Sequence, residues 1–266
     1  MLKHKAITFH SRRKHILYAF WKKPQIPLNE RYCMRGESHL LASVLIALPT
    51  TMVLFNLNQQ AATVIIYFLA GVMMGSLLPD VDASDAKIMH GDYRAIGLFG
   101  RYLFYKPIAR ILGSRSDAYK EQHRGFLHSL LGLFLATLYF IIPVAIIFLV
   151  LTFIFLIPLQ YTLLFWYALL GLPFGFLLHL AEDSFTKSGI RWFYPKGQPM
   201  KRSITTGRKS EANLLTVIFV TYGIFTILVY LQPASLFLLL LTIIITIILL
   251  AILYVITPLI AKFSKD

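Results

Sequence analysis

The chain has 266 residues, of which 57% are hydrophobic and 14% charged, with a formal net charge of +14. That balance excludes an ordinary soluble domain and marks a polytopic membrane protein. A single cysteine, Cys33, excludes an internal disulfide and a cysteine-based zinc knuckle. The positive charge could suggest nucleic acid as a partner, but in a chain this apolar the basic segments beside membrane helices are expected to hold anionic lipid headgroups and set topology.

Residues 1–35 form a basic tail, expected to be cytoplasmic, with His4, His10 and His15 among its lysines and arginines. Its apolar patch, Ile16 to Trp21, is too short for a cleaved signal peptide. Uncharged stretches follow at 40–58, 60–79, 161–178, 212–231 and 234–261, and a longer one runs from Phe126 to Tyr161. A membrane span needs roughly 20 apolar residues, which each stretch meets or approaches.

All 26 Lys and Arg fall in the tail, in 80–125, in 182–211 or in the last five residues. By the positive-inside rule those segments are cytoplasmic, and the bare connections near 56–60, 158–162 and 231–235 lie opposite. The charged segments before Phe126 and after His179 must then be separated by an even number of crossings. The tract 126–180 therefore holds two spans, the first long and tilted or kinked near Pro143. The expected fold is all-α, with six transmembrane helices and both termini cytoplasmic. A four-helix metal-binding core occupies 36–205, and a C-terminal hairpin at 206–266 presents undiluted lipid-facing sequence. Between Asp92 and Ser114, Arg94, Arg101, Lys106 and Arg110 interrupt aromatic and aliphatic residues. That pattern predicts a helix lying in the headgroup plane, broken at Pro107.

Polar residues able to bind metal gather at the helix ends. His39 opens the first helix, Asp80 and Asp82 close the second in SLLPDVD, His123 and His128 open the third in HRGFLHSL, and His179 and Asp183 close the fourth in HLAED. Pro79 ends the second helix, and an extended D-x-D would turn both carboxylates the same way. His179 and Asp183, at i and i+4, share one helical face. His123 and His128 would diverge by about 140° on a continuous helix. They cooperate only if the backbone breaks at Arg124-Gly125 and the helix starts near Phe126. The parity of crossings puts all seven groups on one membrane side, enough ligands for a two-metal centre. Glu37, Glu182, Asp85, Asp92 and His90 are near enough in sequence to support them.

The blocks LLPDVD, HRGFLHSL and LHLAEDSFTKSGIRWFYP, in that order after a helix-mouth histidine, resemble the YdjM-type family of inner-membrane metal-dependent hydrolases, also described as LexA-binding. The similarity covers about 36–200 and implies a bacterial or archaeal inner-membrane location. By motif match it carries metal-binding roles onto His39, Asp80, Asp82, His123, His128, His179 and Asp183. Where the family usually has Thr before the second histidine of the HRG motif, this chain has Leu127, so a hydroxyl contact is in doubt. A more distant resemblance to zinc-dependent phospholipase C and the single-strand nucleases implies a phosphoester substrate.

The expected function is hydrolysis at the cytoplasmic headgroup level by metal-activated water. Mixed imidazole and carboxylate ligands suit zinc, or manganese or iron. Asp80 or Asp82 would orient the water, and Arg124 would bind phosphate oxygens, with Lys187 and Arg191 as further candidates. The expected partners are membrane lipid and a phosphoester substrate. A transporter would carry ionisable groups within its helices, and these spans carry almost none. The alternative is a non-catalytic scaffold that recruits a partner through its basic cytoplasmic face.

Overall fold

A computed structural model describes residues 36–58, 62–83, 86–90, 94–113, 124–156 and 164–264. The basic tail, Asp85, Asp92 and His123 lie outside the described residues. Six helices among the described residues are long and apolar enough to cross a bilayer. They are α1 (Gly36–Leu57), α2 (Ala62–Leu77) with the turn that carries its span to Asp82, α5 (Leu130–Leu149) with the π-turn that carries its span to Ile154, α6 (Leu164–Ser184), α7 (Lys209–Tyr230) and α8 (Leu236–Phe263). Between α2 and α5 lie the shorter α3 (Arg94–Phe99) and α4 (Lys106–Gly113).

Half of the α1 and α2 spans and 44% of the α6 span are buried within the protein, against 11% for α5, 22% for α7 and 17% for α8. The inner layer is therefore α1, α2 and α6. Its closest contact is the crossing of α2 and α6, built on two matched glycine pairs, Gly71/Gly75 and Gly171/Gly175. A Cβ on Gly75 would collide with the Leu172 carbonyl, and one on Gly175 with the Val72 carbonyl. Lipid gives apolar helices little reason to associate, so small residues that let backbones touch supply the packing.

Two apolar clusters flank this crossing. One joins the ends of α2 and α6 to Phe104, Tyr105, Phe126 and Leu127. Leu127, at the position where a hydroxyl was in question, is packed in that cluster. The other joins α1, α2 and α6 to Leu214, Ile218 and Tyr222 of α7 and Leu253 of α8. The C-terminal hairpin is thus a packed wall of the core. The face of α8 is not uniformly lipid-facing either: Thr242, Thr246 and Thr257 are buried, and Tyr222 donates to the Thr246 carbonyl at 3.2 Å.

Three local expectations need correction. After α2 the chain does not become extended; Leu78–Asp82 winds into a 3-10 turn with Pro79 in its first positions. Pro107 does not end the helix: the chain stays helical from Gly100 through Gly113, and the Lys106 N–H just before the proline bonds the Arg101 carbonyl. The irregularity lies upstream, in a π-turn over Gly100–Tyr105 that lets Gly100 approach Val81 and Leu78. Before α5 the backbone does leave the helical path, but α5 starts at Leu130 rather than Phe126. Arg124 is in the left-handed region with φ 60°, Phe126–His128 form a 3-10 turn, and Ser129 caps α5 by accepting from Gly132 N.

Candidate metal centre

Five side chains from four elements meet where α1, α2, α5 and α6 end. α1 brings His39, the turn after α2 brings Asp80, the turn before α5 brings His128, and α6 brings His179 and Asp183. His39, His128, His179 and Asp183 are almost completely buried. The two α6 residues fall one turn apart, as the i, i+4 spacing requires, with His179 Nε2 3.8 Å from Asp183 Oδ2.

His39 and His179 are held by hydrogen bonds at Nδ1 and His128 has its Nδ1 edge against a carboxylate, which leaves the three Nε2 atoms facing the centre. His39 Nδ1 donates to Glu182 Oε2 at 2.7 Å, and Glu182 Oε1 accepts from Ser43 Oγ at 2.9 Å. His179 Nδ1 donates to the Ser76 carbonyl at 2.7 Å. His128 Nδ1 lies 3.3 Å from Asp82 Oδ2, which also accepts the Arg124 backbone N–H at 3.1 Å. A hydrogen-bond acceptor behind the His39 and His179 rings fixes the tautomer and orientation that a metal-ligating histidine needs. The His39 and His179 rings stack with centroids 4.0 Å apart.

The inward atoms are evenly spaced. His128 Nε2 is 3.6 Å from Asp80 Oδ1 and 3.7 Å from Asp183 Oδ2. His179 Nε2 is 3.8 Å from Asp80 Oδ1, and His39 Nε2 is 3.4 Å from Asp183 Oδ1. Bonds of about 2.0–2.2 Å in a tetrahedral shell put ligand atoms about 3.3–3.6 Å apart. His39, His179 and Asp183 form one group of ligand atoms close enough to hold an ion, and Asp80, His128 and His179 form another.

The donor chemistry also fits a cation. His179 Nε2 is buried and makes no hydrogen bond, and because Nδ1 donates to a carbonyl, Nε2 presents a lone pair toward two carboxylates. An orphaned buried acceptor carries the full cost of its desolvation unless something fills the gap. At His128, burial alone would lower the pKa, but the Asp82 charge and the bonds to Asp80 and Asp82 outweigh it and hold the group up at about 9.

Asp82 therefore stands behind His128, at its Nδ1 edge, rather than turned the same way as Asp80. Arg124 reaches in from the turn: Nη2 donates to Asp183 Oδ1 at 2.8 Å and Nη1 to the Gly189 carbonyl at 2.9 Å. Lys187 and Arg191 are exposed on the segment after α6, as are Glu37 and His90 elsewhere. Ser43, Ser76 and Gly189 were not singled out in the sequence, and nothing in their residue type distinguishes them there.

These features define a class: a helical, multi-pass membrane protein with a buried histidine and aspartate cluster able to hold a metal ion. The model of the YdjM inner membrane protein family matches residues 34–259, and the chain belongs to that family. The match runs past residue 200 and takes in most of the C-terminal hairpin, which the motif resemblance had left outside. The chain is 29% identical over 171 residues to the inner membrane protein YdjM of Escherichia coli (strain K12), and equally to that of Shigella flexneri. Each alignment covers 61% of this chain and 66% of the relative, just under two thirds of the relative's length. No solved structure matches the chain.

Proposed function

We propose that this protein is a membrane-embedded metal-dependent hydrolase acting on a phosphoester of the lipid-headgroup kind at the cytoplasmic face. The observation that carries the reading is the bare, buried Nε2 of His179, facing Asp80 and Asp183 beside the imidazoles of His39, anchored on Glu182, and His128. Zinc suits the mixed donors best, and manganese or iron would also fit. A divalent ion bound there supplies a Lewis acid and lowers the pKa of a water toward about 7.

The chain's own residues divide the remaining work. Asp80 has the most exposed of the carboxylate side chains that face the centre, at 15% against 2% for Asp183, so it can reach and orient an incoming water. Arg124, 13% exposed, brings a permanent positive charge to the edge of the centre, where it would offset the charge of a phosphate. Asp82 and Glu182 hold His128 and His39 in register. His123 is a further candidate ligand from the same HRG motif.

The cytoplasmic side, and with it both termini, is supported by the charge pattern. The segments beside the site carry basic residues, and the opposite connections carry none. A headgroup substrate is supported by the 94–113 segment, where exposed Arg94 and Arg110 alternate with exposed Phe99, Tyr102 and Ile111. A scaffold role draws its support from the same basic face, with Lys187, Arg191, Lys196 and Lys201 exposed. The test is release of headgroup phosphate from mixed phospholipid micelles, run beside a generic phosphodiester. The hydrolase reading predicts turnover that a chelator abolishes and that Asp80→Asn and His179→Ala lack. Metal-loaded protein with no activity on any phosphoester, whose metal-site variants keep its cellular role, would favour the scaffold.

A further inference from the structure

The two oxygens of the Asp183 carboxylate face different partners. Oδ2 lies 3.7 Å from His128 Nε2 and 3.8 Å from His179 Nε2, and Asp80 Oδ1 lies 3.6 and 3.8 Å from the same two nitrogens. These four atoms make a ring of near-equal edges. Oδ1 faces the other way, 3.4 Å from His39 Nε2 and 2.8 Å from Arg124 Nη2.

In a two-ion centre a bridging carboxylate gives one oxygen to each ion. Here the oxygen turned to His39 already has a cation on it. A guanidinium keeps its proton at any ordinary pH, so that charge is permanent. We propose that the centre takes a single divalent ion within Asp80, His128, His179 and Asp183, and that Arg124 supplies the positive charge a second ion would bring. This rests on the reading of the cluster as a metal site.

Two further observations support it. The two possible ligand groups share His179, whose Nδ1 is committed to the Ser76 carbonyl; Nε2 alone remains, and one nitrogen takes one ion. An ion using it leaves the other group a ligand short. Arg124 is also built into place. It holds a left-handed φ of 60° that side-chain-bearing residues avoid, with its N–H on Asp82 Oδ2 and its guanidinium bridging Gly189 O and Asp183. A mobile surface arginine is not fixed at both its backbone and its tip.

The experiment is a manganese(II) titration of chelator-stripped, full-length protein in detergent, read by bound metal after equilibrium dialysis and by electron paramagnetic resonance. Wild type is expected to saturate at one ion per chain and give the six-line signal of isolated manganese, even with metal in excess. Arg124→Met, which keeps length and loses charge, is expected to take up a second, weaker equivalent. Arg124→Lys is expected to stay at one. Two ions on wild type, or an exchange-coupled signal, would overturn the inference while leaving the metal reading intact, and needs no variant to be folded. A folded Arg124→Met that stays at one ion would overturn the role given to Arg124. Wild type that binds no manganese, zinc or iron would overturn the metal reading and this inference with it.

Discussion

Helices α2 and α8 are both compatible with lipid, yet half of the α2 span is buried within the protein and only 17% of the α8 span is. The lipid-facing α8 is the more hydrophobic of the two, and the placement of small and polar residues separates them further. α2 carries Gly71 and Gly75 one turn apart against Gly171 and Gly175 of α6, so two backbones touch and their ends are held in fixed register. α8 has no glycine, and its contact face is a stripe of threonines. The first arrangement brings the end of α2, and with it Asp80, beside His179. The second anchors a wall and has no part in the cluster.

That contrast can be broken most severely at the crossing. Gly75→Leu or Gly175→Leu forces a side chain into a facing carbonyl, a backbone that cannot step aside. Overpacking of this kind costs about 1–3 kcal/mol and more where backbone is struck. We expect loss of the monodisperse folded peak in detergent. Ile252→Ala on α8, half exposed, should stay within about 0.5 kcal/mol of wild type by thermal melting, with metal content unchanged.

The residues behind the rings give an intermediate effect. Glu182→Gln and Asp82→Asn should leave the fold intact and weaken metal affinity by about 10–100-fold, measured by competition with a chromophoric chelator. Unchanged affinity in both would deny that these carboxylates orient His39 and His128.

A smaller effect sharpens the comparison through pH. His128 is held at about 9, above the ordinary histidine value of 6.5, so the folded metal-free state binds its proton more tightly than the unfolded chain. The stabilisation from that proton is complete below pH 6.5 and disappears as pH rises through 9. Metal must displace the same proton, so metal affinity should rise with pH over that interval and level off above it. Apo stability and metal affinity should therefore run in opposite directions, as paired melting and dialysis series at pH 6.5 and 9 would show.

Much of the site was legible because lipid makes polar groups conspicuous. His39, His179 and Asp183 stand out at the ends of apolar runs, and counting crossings places them together without any distance being known. Asp80 could be found but not separated from Asp82, since their roles divide only once Leu78–Asp82 winds into a 3-10 turn. α5 starts at Leu130 rather than near Phe126 because Phe126–His128 close a 3-10 turn and Ser129 takes the cap. The Gly71/Gly75 and Gly171/Gly175 spacings also stand in the sequence, but residues that act by being small are inconspicuous beside charged ones. Ser76 and Gly189 act through backbone carbonyls, which no sequence pattern marks.

The most direct test of the account is the metal content of the purified protein, by elemental analysis of wild type beside His179→Ala and Asp183→Ala. The account predicts close to one zinc, manganese or iron per wild-type chain and almost none in either variant, with both variants still folded. Metal-free wild type, or variants that retain the wild-type content, would contradict it.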